Sequence, residues 1–277
     1  MVTAETKMPA ALRLESTFKK VGLLGGVYNN HVALEKACQM ALSRGCETLF
    51  CLGDLGGFGP HPNKVFPILH KYRVQCIQGN YEESLIKRLA DCGCGYTHPK
   101  DNYYAALSYD YTNSRLSDEN RALLATFPQQ LQFKLGSLVV HLCHGSPRRV
   151  NEFLWETTTA DAFVSREVEK LEADILCCTH SGLHWKREVS PGKWIVNVGV
   201  LGRPANDGHT NVWYTELAPG GAQPSIEFVP VEYDWKKLVA EMQDEKLPAE
   251  FMETISSGWW TTCLEILPGK ERMRGRF

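Results

Sequence analysis

The chain has 277 residues, a formal net charge of −2, 43% hydrophobic and 22% charged residues. That balance excludes general disorder, and no apolar run approaches the roughly 20 residues that a membrane-spanning helix needs. A near-neutral charge argues against a broad nucleic-acid interface, and positions 1–20 lack the apolar stretch of a secretion signal, so the reading is a cytoplasmic globular protein with no membrane partner.

In chain order, residues 1–19 read as an N-terminal extension and 20–277 as a single domain. Residues 21–24 are a short apolar strand, and 31–42 place Val32, Leu34, Ala37, Cys38 and Ala41 near one face of a helix. Residues 48–52 form a second strand, which ends in the loop Gly53-Asp54-Leu55-Gly56-Gly57-Phe58-Gly59-Pro60. A helical pattern follows at 63–72, interrupted by Pro67, and a third strand at 74–78 stops at Gly79. This alternation predicts a mostly parallel sheet covered by helices. Residues 102–127 are helical, with Ser117-Asp118-Glu119-Asn120 as a cap. Strand-like runs then come at 131–135, 138–143, 175–178, 184–189, 193–198, 211–217 and 225–231. Two helical patterns, at 235–242 and 248–255, close the chain.

Ten cysteines are present, six of them in or beside apolar strand-like runs, where cysteine behaves as a small hydrophobe. All are expected as reduced thiols. The pair Cys92-Gly93-Cys94 has one intervening residue instead of the two of a zinc knuckle, and no second pair follows.

In open α/β sheets, chemistry gathers beyond the carboxyl ends of the strands. Asp54, Asn80, His144 and His180 each follow an apolar run at that end. A carboxylate, an amide oxygen and two imidazoles at one sheet edge make a divalent-metal set, and such donors suit Mn, Fe, Zn or Ni better than Ca or Mg. The plain alternative is that each caps its own loop. Four in equivalent positions favour a shared site.

The ordered segments Gly53-Asp54 with Gly59-Pro60-His61-Pro62, Gly79-Asn80, His144-Gly145-Ser146-Pro147 and Asn197-Val198-Gly199-Val200-Leu201-Gly202-Arg203-Pro204 resemble the calcineurin-like metallophosphoesterase superfamily, in particular its small bacterial phosphatase and phosphodiesterase branch. The resemblance runs from about Lys20 to the C-terminus. It implies a four-layered α/β/β/α sandwich with two metals that share an aspartate. The departures are informative. The family's Asp-x-His motif falls on Gly26 and Tyr28, and its Gly-His-x-His motif on Thr179-His180-Ser181-Gly182, so three ligands of the first metal are missing. Every ligand position of the second survives as Asp54, Asn80, His144 and His180. Sliding the last motif by two residues would instead pair Cys178 and His180 with its histidines. His31, His61, His184 and His209 lie near the site loops, and any of them could rebuild the first-metal site or serve as a cap or surface residue.

The expectation is therefore one divalent transition metal and a hydrolase acting on a phosphate mono- or diester. The alternative is a catalytically silent member of the fold that binds a phosphorylated ligand or a protein partner. Tyr81 and Glu82, at the family's His-Asp positions, join Asp54 as catalytic candidates. Tyr81 has an ordinary pKa near 10, which makes it a proton donor and a poor base. Tyr28, Asn30, Arg148 and Arg149 are the substrate-binding candidates. The two tyrosines could equally be packed aromatics, and the two arginines a solvated surface pair.

Overall fold

The computed structural model describes residues 10–221 and 223–275. Among them, eleven strands form two sheets. The first five strands are β1 (Leu12–Phe18), β2 (Val21–Leu24), β3 (Thr48–Cys51), β4 (Gln75–Cys76) and β5 (Leu131–Leu135). They are followed by β6 (Leu138–Leu142), β7 (Ile175–Cys178), β8 (His184–Ser190), β9 (Lys193–Val198), β10 (Val212–Ala218) and β11 (Ser225–Val231). One sheet has the order β1-β5-β6-β7-β9-β8 and the other β11-β10-β2-β3-β4.

The central strands β2, β3 and β7 are short and largely apolar because both of their faces are covered. Side chains alternate along a strand, so β3 sends Phe50 into the layer between the sheets and Leu49 and Cys51 outward toward helices. β7 does the same, with Ile175 and Cys177 between the sheets and Leu176 and Cys178 outward. Phe50 and Phe133 stack across the interface with ring centroids 4.7 Å apart. Helices α1 (His31–Ser43), α2 (Val65–Lys71) and α3 (Asn80–Lys87) cover the five-stranded sheet. Val164 and Val168 of α6 (Asp161–Lys170) cover the six-stranded one. The result is the expected α/β/β/α sandwich.

The 102–127 region divides into α4 (Pro99–Arg115) and α5 (Asp118–Leu124). Ser117 caps the second by accepting from the Asn120 amide at 3.2 Å. Pro67 sits in the first turn of α2, where its missing N–H is tolerated. The tail forms α7 (Trp235–Asp244), α8 (Ala249–Ser257) and the short α9 (Gly269–Arg272), and its aromatic residues pack against the site loops.

Two expectations need correction. Leu12–Phe18 is not outside the domain: it is the edge strand β1, pairing in parallel with β5. It carries Arg13 and Glu15 on an exposed edge, so it has little apolar signature. Cys92 and Cys94 are joined as a disulfide, while the other eight cysteines are free. Gly93 between them has φ +61°, a turn that brings the two thiols together.

One ion cluster ties the five-stranded sheet to the end of α1. Glu216 of β10 is nearly inaccessible and is engaged by Lys20 at 2.7 Å and Arg44 at 2.7 Å. Burial alone would raise its pKa, but Arg44, Lys20 and the Tyr214 hydroxyl outweigh that and hold it below the usual carboxylate range. A depressed folded pKa contributes stability above the unfolded value of about 4.3 and loses it as pH falls through the folded value. Glu216→Gln should therefore flatten the acid limb of stability against pH, measured by urea unfolding from pH 6 down to pH 2. An unchanged limb would show that the cluster does not contribute.

Candidate metal centre

Four loops leave the carboxyl ends of β3, β4, β6 and β7 at one edge of the sandwich, so each sheet contributes two site residues. Asp54 and His180 sit in the left-handed backbone region at φ 57° and 63°. For non-glycine residues this conformation persists only where the surroundings enforce it. Gly79 permits the closest approach, since a β-carbon there would lie 2.5 Å from Asp54 Oδ1 and 2.7 Å from His144 Nδ1.

The orientation of each donor is set from behind. His144 Nδ1 lies 2.6 Å from the Leu52 carbonyl oxygen, which can only accept, so Nδ1 carries a proton and Nε2 is the ring nitrogen turned toward the other donors. Asn80 donates from Nδ2 to the Cys92 carbonyl at 2.8 Å, which turns Oδ1 toward His144 Nε2 at 3.0 Å. Asp54 Oδ2 stands 3.3 Å from the same Nε2, and His180 Nδ1 3.1 Å from it. All four residues are buried.

Electron-pair donors packed this closely repel unless positive charge lies among them. Burial alone would raise the Asp54 pKa, yet the adjacent His144 imidazole holds it below the ordinary value. Burial would likewise lower His144, but the Asp54 carboxylate draws it above its ordinary range. His180 is pushed down to about 3 by burial and then by His144, so its imidazole is neutral at physiological pH. Asp54, His144 and His180 present donor atoms within 4.8 Å of one another and could hold a divalent cation, with Asn80 Oδ1 beside them.

The pattern of the calcineurin-like phosphoesterase superfamily domain matches residues 20–218. This chain belongs to that superfamily. The family is divalent-metal dependent. The chain is 24% identical over 251 residues to an uncharacterized protein of Methanocaldococcus jannaschii, covering 86% of this chain and 98% of that one. Its fold is similar to a metallophosphoesterase from Sphaerobacter thermophilus, with TM-score 0.66, 22% identity and coverage of 87% and 99%. It is also similar to a hypothetical protein from Pyrococcus horikoshii, with TM-score 0.70, 20% identity and coverage of 89% and 100%. Among the described residues no helix is long and apolar enough to cross a membrane.

His180 is in the centre, whereas Cys178 points into the apolar layer under α6. Aromatic rings crowd Gly26 and Gly182, the two glycines that flank the centre in the sequence reading. The Tyr28 ring covers Gly26, with Cε1 2.7 Å from where a β-carbon would be. Gly182 abuts Trp260, whose Cη2 is 2.8 Å from the corresponding point. None of the candidate replacement histidines reaches the centre. His31 and His61 face Glu241 at 3.3 and 3.7 Å, His184 packs on Trp213 and Phe228, and His209 is exposed.

Four of the remaining candidates do not line the cavity beside the centre. Both Glu82 oxygens accept backbone amides, from Asp54 at 2.8 Å, Leu55 at 2.8 Å and Gly79 at 2.7 Å, so this buried carboxylate positions the metal-site loops instead of acting on a substrate. Asn30 caps α1 through the Ala33 amide at 3.0 Å and donates to the Gly202 carbonyl at 3.2 Å, and it does not line the cavity beside the centre. Arg148 is held by Glu152 and lies over the Phe163 ring, and Arg149 is exposed; neither reaches the cavity. A run of two arginines beside a ligand motif carries no information about which way they point.

Tyr28 and Tyr81 do line that cavity, together with Phe58, Tyr96, Tyr104 and Phe251. Tyr81 pairs its hydroxyl with Ser108 at 2.9 Å and its amide donates to Asp54 Oδ1 at 3.2 Å. Burial raises the pKa of both tyrosines well beyond the ordinary value, so each stays protonated and keeps a hydroxyl hydrogen to donate. One functional candidate escaped the sequence reading. Arg203 lies in the 197–204 segment quoted above, which assigned it no role, and it reaches the same cavity from the loop after β9.

Proposed function

We propose that this chain is a phosphate mono- or diester hydrolase that works with one divalent metal, held by Asp54, Asn80, His144 and His180. The observation that carries the reading is the convergence of Asn80 Oδ1, Asp54 Oδ2 and His180 Nδ1 on His144 Nε2 within 3.0–3.3 Å, each turned inward by a hydrogen bond or backbone constraint behind it. A divalent ion supplies charge that polarises a phosphoryl oxygen and lowers the pKa of a nearby water.

The protein's own contribution is orientation and exclusion of water. His144 and Asn80 are preset by the Leu52 and Cys92 carbonyls, so little reorganisation is needed when a ligand binds. Tyr81 stands beside Asp54 with a protonated hydroxyl and serves as a hydrogen-bond donor. The aromatic walls give the organic part of a small phosphorylated substrate an apolar seat. A second reading, a silent binder of a phosphorylated ligand, is favoured by the Tyr28 ring over Gly26, which leaves one metal where hydrolases of this fold are expected to use two.

Elemental analysis of metal-replete protein should find one Mn, Fe, Zn or Ni per chain. Purified protein stripped by a chelator should regain turnover of bis(p-nitrophenyl) phosphate or p-nitrophenyl phosphate when Mn is restored. A metal content near zero or two overturns the one-metal assignment. Stoichiometric metal with no turnover of either ester selects the binder.

A further inference from the structure

We propose that Arg203 is an anion-binding residue that anchors the phosphoryl oxygens of the ligand beside the metal centre. Arg203 is only 5% exposed. Among the described residues it makes no ion pair and no hydrogen bond, and its Nε is buried without a partner. Its contacts are aromatic: the guanidinium lies 3.6 Å from the Trp260 ring centroid and 5.9 Å from those of Tyr28 and Phe58. A buried guanidinium with no counter-anion is costly, because lost hydration is not repaid by a carboxylate. Stacking on a tryptophan offsets part of that cost and leaves the N–H edge of the planar fork available.

The loop that carries Arg203 is tied down on both sides. Asn30 donates to the Gly202 carbonyl at 3.2 Å, and Trp260 donates from its indole to the Pro204 carbonyl at 2.7 Å and from its backbone to Asn206 Oδ1 at 2.8 Å. Arg203 and Thr262 line the cavity that Asp54 and His180 also line, and the buried Thr262 Oγ1 likewise has no hydrogen-bond partner. Nη2 lies 3.4 Å from the point where a Gly182 β-carbon would stand, next to one of the positions at which the chain departs from the two-metal pattern. A permanently charged fork and an unpartnered hydroxyl in one cavity with a metal site match a tetrahedral oxyanion, which takes two N–H bonds from a guanidinium and one from a hydroxyl. The tethered cation supplies positive charge that a missing metal cannot.

The identity of the anion as a phosphoryl group rests on the proposed function, but its capture does not require turnover, so the two can fail separately. Inorganic phosphate is the probe, titrated calorimetrically into metal-loaded wild type, Arg203→Gln and Arg203→Lys. Arg203→Gln should weaken phosphate at least tenfold with metal content unchanged, and Arg203→Lys should retain part of the affinity. Wild-type affinity in a folded Arg203→Gln overturns the proposal, whatever the metal analysis shows. Weakened phosphate binding in a chain that neither holds metal nor hydrolyses esters supports it and sinks only the hydrolase reading. Should both variants fail to fold, the arginine Nε resonances of the wild type decide. A slowly exchanging Nε–H that shifts with phosphate supports the site, and none shifting overturns it.

Discussion

Replacing His144 by alanine should abolish stoichiometric metal binding and lower ester turnover by roughly 10²–10³-fold or more, the scale of losing a preorganised electrostatic group. The imidazole is the hub of the centre, since Asn80, Asp54 and His180 all converge on its Nε2. It is also the group that keeps Asp54 ionised. Without it a buried carboxylate is left unpaired, and the metal-free variant should be less stable by about 3–5 kcal/mol. The informative control is His141, three residues earlier on β6. His141 is also fully buried and its pKa is lowered to about 4 by burial, but its Nε2 pairs with Gln130 Oε1 at 2.8 Å, away from the centre. His141→Gln should keep the metal and most of the turnover even if it loses stability. Elemental analysis and thermal unfolding of both variants separate ligand loss from general damage. Full metal occupancy in His144→Ala would remove the centre from consideration.

Restoring the family's histidine at Gly182 should destabilise the protein without recruiting a second metal. Two independent costs apply. Gly182 has φ +84°, a conformation that strains a side-chain-bearing residue by about 1–3 kcal/mol. The new β-carbon would also stand 2.8 Å from Trp260 Cη2, and forcing extra atoms into a packed site costs about 1–3 kcal/mol. Together these predict a loss of roughly 2–6 kcal/mol and a melting temperature lower by about 4–24 °C. Trp260 cannot withdraw easily, because its indole and backbone are tied to the 204–206 loop and its face carries Arg203. If Gly182→His were instead as stable as the wild type and held two metals, the first-metal position would be vacant space and not a rebuilt one.

Much of the fold was legible because burial on two faces leaves a simple mark. Runs such as 48–52 and 175–178 are apolar without alternation, as strands between two layers must be, and the chemistry-bearing residue follows each run directly. Asp54, Asn80, His144 and His180 could be singled out for that reason. β1 was not legible, since an edge strand bearing Arg13 and Glu15 needs no continuous apolar run. The helices α3 and α6 went unread, α3 because its first residues carry the site motif.

The role of Glu82 was misread for a different reason. An acidic residue at that position can face a substrate or reach back to three amides, and only the path of the 53–55 loop decides. Arg148 and Arg149 were credited with the positive charge that Arg203 brings to the cavity, because adjacency to a motif along the chain is not adjacency in space.

The amino-acid order alone determined the sandwich, the family and the four inward-facing donors, since these follow from local patterning and from residue types that must occupy strand ends. Tertiary structure decided which cation meets the cavity, what fills the place of the missing ligands and which cysteines meet. Those outcomes depend on loops from distant parts of the chain, Gly26, Gly182, Arg203 and Trp260 among them, packing against one another. Long-range burial and the absence of a counter-charge leave no trace in the neighbouring sequence.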